Sequence, residues 1–526
     1  MKGFISRSRR LLPYWAAITI TVVVAAVLLV ACIAPAAPLA GTPAPTATPA
    51  PPTATPLPLK LLTTTPEKGP VGTGITITGE GLPPGRAAEL IWVTVDGSYK
   101  TAETKTGLAL GVEYNGRVFT PKRASLQRFT IGTDGRASVS LTAPEDYGEI
   151  HDIYFAVDGQ DVAKGGFQLT RSATISPSEG PVGTVITIKA TGLGWKAFES
   201  TLALRYDNKY TGFISATTTR GTAVAQFRAA GPVGKHYISA DAASHAQPFL
   251  NIKTGALSTR HLLPFEAVFT VTRDDGPPAA MVEFPDPARV AGVDSLSRIP
   301  GMGEKVSTPG VSASISPASG PVLTRATLKV SGLPAGTADL IWVTQRRADP
   351  LASVRAAVAS EIRLDSVTVS QTGSIDVPVT IPEGVGGWHV LKVVQSDKTV
   401  IEVPFNVEQS LVTPVPVRVK AGEKFTVWFR GGGWTELDNG AAVTYDNAYI
   451  GFVCGFANNG DTPVELVATG GPGTHLIDIY PYIFDGGHGD WPWQYNLPQL
   501  TSLQDHPGLA LGYKFPIFRL AIQVTE

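Results

Sequence analysis

Apolar and polar residues follow three rhythms along the chain. Trp15 to Ala31 form an uninterrupted, mostly apolar run without a charge. Residues 33–58 then alternate Pro, Ala and Thr, with no charge and no aromatic. Beyond residue 59 the pattern breaks into short stretches such as Gly74-Ile75-Thr76-Ile77-Thr78 and Val185-Ile186-Thr187-Ile188. Period-two alternation with Thr outward predicts half-buried strands. Turn signals separate them, among them Val95-Asp96-Gly97, Asp134-Gly135, Asp207-Asn208 and Asp446-Asn447, where Asp, Asn and Gly tolerate positive φ and close hairpins. Amphipathic helical patterns are nearly absent. Residues 347–363 could read as a helix from the Asp349-Pro350 start and the Ala content, but the corresponding 97–125 looks like strands and loop, which leaves the insert ambiguous.

Self-comparison gives the organisation. Two kinds of module alternate in the order A, B, A, B. Leu90-Ile91-Trp92-Val93-Thr94 of the first A module answers Leu340-Ile341-Trp342-Val343-Thr344 of the second. In the B pair, Tyr206-Asp207-Asn208 answers Tyr445-Asp446-Asn447, and Trp195 answers Trp434. A two-module unit has thus been duplicated as a block. The expected layout is a signal segment at 1–31, a stalk at 32–58, and modules A1 (59–171) and B1 (172–273). A linker or loosely docked strap follows at 274–310, then modules A2 (311–408) and B2 (409–526). Seven or so short strands in ~100 residues predict an all-β chain of tandem immunoglobulin-like sandwiches.

Composition agrees: 55 glycines and 43 prolines suit many tight turns, and 526 residues are too many for one core. Lys2, Arg7, Arg9 and Arg10 precede the apolar run, the arrangement of a secretory signal. Without them 39 basic residues face 44 acidic ones, a net charge of −5, and nothing favours a nucleic-acid partner. The run ends in Leu29-Val30-Ala31-Cys32, which resembles the bacterial lipobox. That resemblance implies a diacylated Cys32 as a new amino terminus and a membrane partner through the lipid. An uncleaved anchor helix is the alternative, 17 apolar residues being at the lower edge of a bilayer span. Either way residues 33–526 are expected outside the cytoplasm, in the cell envelope. The nine prolines of 33–58 predict an extended stalk on the order of 80 Å long.

The openings Pro66-x-x-Gly69-Pro70 and Pro317-x-x-Gly320-Pro321, the Tyr-Asp-Asn turns and the late Gly-x-His before a strand resemble the IPT/TIG-type immunoglobulin-like repeats of bacterial surface proteins. The resemblance covers most of 62–273 and 312–526. It implies spacer, adhesion or carbohydrate-binding roles without choosing among them. The inserts near 97–125 and 345–363 depart from it.

Candidate chemistry is sparse. His151, His236, His389 and His475 recur at one point of all four modules, but ligands on four separate sandwiches do not converge, so they read as strand-start residues bonded to backbone. Asp207, Asn208, Asp446 and Asn447 read as turns, since calcium wants six to eight oxygens. Cys454 reads as a small buried residue. No metal or other cofactor is expected, and no catalytic residue is assigned: G-x-S-x-G, H-E-x-x-H and phosphate loops are missing from the sequence. The distinctive stretch is Tyr480 to Tyr495, YPYIFDGGHGDWPWQY, with Tyr513 nearby. Trp491, Trp493 and Tyr495, with Asp485, His488 and Asp490, form the candidate ligand site, because aromatic faces flanked by carboxylates stack on sugar rings. The competing reading folds these rings inward to cap the core. The functional expectation is a non-catalytic surface lipoprotein for adhesion, ligand binding or envelope architecture. The alternative is carbohydrate binding or hydrolysis by the 480–506 loop.

Overall fold

The computed structural model describes residues 58–106, 109–252, 254, 264–290, 298–299, 303–347, 357–412, 418–483 and 496–526. The signal segment, Cys32 and the stalk lie outside the described residues. No described helix is long and apolar enough to cross a membrane.

Each module is a three-stranded sheet packed on a larger one. In B1, Ser172–Ser176, Val185–Thr191 and Ala223–Arg228 form the smaller sheet. The larger runs in the order Glu179–Gly180, Phe265–Val271, Gly234–Ser244, Thr201–Tyr206 and Lys209–Ser215. Its first pair is parallel and the rest antiparallel. The alternation seen in sequence is the layering seen in space: Ile186 and Ile188 are buried, and Thr187 between them points outward to bond Gln226. In A1 the opening strand serves both sheets, Leu61 pairing with Lys164 in one and Leu62 with Gly79 in the other. Asp207, Asn208, Asp446 and Asn447 have φ of 49°, 63°, 46° and 61°, the left-handed pair of a two-residue hairpin.

One expectation changes and two open readings are resolved. Val95-Asp96-Gly97 is no turn: it lies inside Ala87–Thr106, which pairs with Ala109–Thr130 to make one long hairpin. Residues 357–363 are strand, not helix, part of Ala357–Val369 paired with Gly336–Arg347. Pairing continues because each hairpin arm has an antiparallel partner along its length, and that outweighs the Ala content. In the stretch expected as a linker or loosely docked strap, residues 274 and 281–283 are docked. Met281–Glu283 adds a strand to the B2 sheet beside Ile517–Thr525, and Asp274 accepts bonds from the Thr474 amide and hydroxyl at 2.8 and 2.6 Å.

Candidate functional site

Trp491, Trp493, Tyr495, Asp485, His488 and Asp490 all lie outside the described residues, as does Phe484. Of the seven clustered aromatics, Tyr480, Tyr482 and Tyr513 are described, and all three are buried. The structure therefore defines the two sides from which the 484–495 segment springs.

The upstream side is the end of Gly473–Pro481. Tyr480 accepts a hydrogen bond from Arg519 Nη1 at 3.2 Å, and Tyr482 donates to Asn439 Oδ1 at 2.8 Å. Ile483 sits in an apolar cluster with Trp388, Leu437, Tyr513 and Phe515. Burial pushes the Tyr482 hydroxyl well above its ordinary pKa.

The downstream side is bound to B1. Tyr449 donates to the Asn496 carbonyl at 2.6 Å. Phe213 of B1 exchanges backbone bonds with Pro498 and Leu500, both at 2.9 Å. Asp505 then gathers five donors on its two oxygens: Ser215 Oγ at 2.7 Å, the Thr217 and Thr218 amides and Thr218 Oγ1 at 2.8 Å, and Tyr99 hydroxyl at 3.0 Å. Tyr99 belongs to the long hairpin of A1, so this one carboxylate ties A1, B1 and B2 together. His506 next to it is held neutral, its pKa lowered to about 3 by burial.

The same hairpin crosses to the other half of the chain. The Tyr114 amide donates to Glu436 Oε2 at 2.8 Å, and the Glu436 amide donates to the Val112 carbonyl at 3.2 Å. Val112 and Tyr114 pack with Val343 and Trp388 of A2 and Leu437 of B2. Between B1 and B2, Arg228 meets Asp478 at 2.6 Å, and Arg519 takes a bidentate hold on Glu283 of the strap at 2.9 and 2.8 Å. Asp438, by contrast, is held by the Thr435 amide and hydroxyl on one oxygen, both at 2.7 Å. Its other oxygen faces Gly387, where a Cβ would stand 2.2 Å away. Burial raises its pKa to about 7.

The four recurrent histidines do bond to backbone. Each Nε2 lies 2.7–2.8 Å from a carbonyl four residues earlier. Each ring also stacks on the aromatic of the Trp92, Tyr206, Trp342 or Tyr445 position. In the A modules the histidine additionally meets the next module's tryptophan, His151 with Trp195 and His389 with Trp434, so it sits at the A–B junction. In the B modules Nδ1 meets Asp207 or Asp446 at 2.5 and 2.6 Å. Those aspartates also accept the amides of Tyr237 and Leu476, which is turn and strand-start work. Among the described residues no group of three or more His, Cys, Asp or Glu could hold a metal. Cys454 is partly buried against Val385, Trp434 and Phe456.

Sequence reasoning passed over Asp505, Glu436, Arg228 and Arg519. A signal existed for Arg519: it is the one charge in Ile517-Phe518-Arg519-Leu520-Ala521-Ile522, and a charge on an otherwise apolar strand needs a buried partner.

No family model and no curated protein matches the chain. Three solved structures stand beside it. The native conformation of E. coli alpha-2-macroglobulin is 10% identical, with a TM-score of 0.16 over 87% of this chain and 30% of its own. The E. coli adhesin FdeC is 13% identical, with a TM-score of 0.14 over 66% of this chain and 96% of its own. A putative membrane anchored protein from Corynebacterium diphtheriae is 11% identical, with a TM-score of 0.17 over 89% of this chain and 91% of its own. The chain thus spans less than a third of the alpha-2-macroglobulin. Its own strand pairing makes it an all-β protein of immunoglobulin-like sandwiches.

Proposed function

We propose that the chain is a non-catalytic cell-surface lipoprotein, held to the membrane by an acylated Cys32, whose interlocked modules form a rigid platform for ligand binding. The ligand class is carbohydrate, gripped by Trp491, Trp493 and Tyr495 with Asp485, His488 and Asp490 beside them. One observation carries this reading: the segment holding those residues is flanked on both sides by hydrogen-bonded, packed structure, at Tyr482 upstream and from Asn496 to Asp505 downstream. A loop with rigid ends loses less entropy on ligand binding than one hung from a flexible linker. Freely jointed spacer beads would not need three modules tied to one carboxylate. The non-catalytic part of the reading is supported by Asp505 and His506, both buried, the first serving the junction and the second accepting the Gly508 amide within B2.

The test is a glycan and polysaccharide binding screen of residues 59–526 against the Trp491→Ala and Trp493→Ala variants. Each lost ring should weaken binding about tenfold. Binding that is absent from the start, or indifferent to both substitutions, sinks the carbohydrate reading. The anchor is tested separately: labelled fatty acid should enter the wild-type protein in a bacterial host and be absent from the Cys32→Ser variant.

A further inference from the structure

The duplication makes the B1–B2 contact informative about two surfaces that lie bare. Two unlike surfaces meet there. One is the edge of B1 between Lys209–Ser215 and Ala223–Arg228, where the two sheets part. The other is the outer face of B2 on Gly473–Pro481 and Ile517–Thr525. Leu476, Tyr480 and Ile517 from that face complete the apolar cluster of B1 itself. Arg228 and Asp478 pair across the seam, and Asn447 Nδ2 donates to the Arg228 carbonyl at 2.7 Å.

B1 and B2 are copies, so each owns both surfaces. Strand register gives the correspondence. Val185 faces Arg228 and Lys424 faces Val467, which puts Val467 in B2 where Arg228 stands in B1. His236 faces Phe269 and His475 faces Ile522, so Tyr237, Ser239 and Val268 of B1 stand where Leu476, Asp478 and Ala521 stand in B2.

Both leftover surfaces carry exposed apolar side chains, a group of three on the B2 edge and one pair on the B1 face, the latter set among Lys235, Ser239, Glu266 and the Arg205–Asp241 ion pair. The B2 edge exposes Ile450 (49%), Phe452 (49%) and Val467 (42%), and Ile450 and Val467 line a groove of about 450 Å³ with Leu466, Tyr445 and Asp446, to whose wall B1 contributes Lys209. The B1 face exposes Tyr237 (63%) and Val268 (42%), cross-strand neighbours in register. The polar pair of the internal seam has changed on both sides at once. Arg228 becomes Val467 and Asp478 becomes Ser239, so repeating the seam would bury neither charge alone. Arg519, which donates to the Gln226 carbonyl across the internal seam, is replaced by Glu266 and Gln226 by Glu465, so the repeated seam brings two exposed glutamates together, of which Glu465 is already paired with Lys424.

We infer that the chain associates head to tail with copies of itself, the B2 edge of one copy seating on the outer B1 face of the next. The internal B1–B2 seam is thereby repeated between molecules. Unlike surfaces meeting this way make a heterologous contact, which continues into a chain or ring rather than ending at a self-complementary pair.

Sedimentation of residues 58–526, which form one compact unit, reads the outcome. The wild type should grow beyond the monomer as concentration rises. Tyr237→Asp lacks every face and Val467→Asp lacks every edge, so each alone should stay monomeric. Mixed, they retain one good face and one good edge between them and should give a one-to-one dimer that grows no further. Both positions are exposed, and an unchanged thermal transition confirms folding; Val268→Lys and Ile450→Lys form a second pair for the same mixing test. A wild type monomeric up to about 1 mM, association by either single variant, or a mixture that stays monomeric overturns the inference.

Discussion

Single side chains hold the junctions between modules. Asp505→Ala would leave the Thr217 and Thr218 amides and the hydroxyls of Ser215, Thr218 and Tyr99 without this acceptor, and we expect a loss of roughly 3 kcal/mol in urea unfolding. Titratable groups add a pH dependence whose sign differs from group to group. His389 and His506 are buried, with pKa values lowered to about 4 and about 3 from 6.5. Their contribution is present above pH 6.5 and is lost as pH falls towards those values. Asp438 runs the other way. Its folded pKa of about 7 lies above the usual 3.8, so its contribution is full below pH 3.8 and is lost as pH rises through 7. Asp438→Asn removes that loss: melting temperatures of variant and wild type should converge near pH 4 and separate in the variant's favour by pH 8. A gap that stays constant across that range would refute the assignment.

Elements do what single strands do not. The Ala87–Thr106/Ala109–Thr130 hairpin is longer than A1 needs for its own sandwich, and its far portion supplies Tyr99 to the Asp505 junction and Val112 and Tyr114 to the A2–B2 cluster. Val112→Ala with Tyr114→Ala should cost about 3–5 kcal/mol and loosen A1 from the rest. Hydrogen exchange would show this as lost protection around Glu436 and Trp388. The strap is the second such element. Glu283→Gln removes the charge opposite the buried Arg519, a change that typically costs about 3–5 kcal/mol, and limited proteolysis should then cut within 274–310 faster than in the wild type.

Across the whole described unit, the four sandwiches lean on one another through these contacts. The apolar cluster of B1 includes Leu476, Tyr480, Leu500 and Ile517 from B2, so the B1 core is unfinished without B2. Cooperative unfolding of 58–526 in one calorimetric transition is the expected result, and separate transitions for the A1–B1 and A2–B2 halves would contradict it.

The sequence by itself determined the strand class, the ABAB duplication and the Asp-Asn hairpin turns of the B modules, because period-two burial and positive φ are local demands written into Ile75 and Ile77 or Asp207 and Asn208. It also marked the recurrent histidines as backbone-bonded, since each carbonyl partner lies four residues away. Only the tertiary structure decided how the modules join. The bonds from Asp505 to Ser215 span 290 residues, and those from Tyr114 to Glu436 span 322. Nothing local to Asp505 or Glu436 sets its partner, because the partner arrives only when the long hairpin and the two B modules have packed. The aromatics of the candidate loop divide along the same line. Tyr480, Tyr482 and Tyr513 look in sequence like the tryptophans beside them, and it is the packing of B2 on B1 and A2 that buries Tyr480 and Tyr513, while Tyr482 is held within B2 by Asn439 and Phe452.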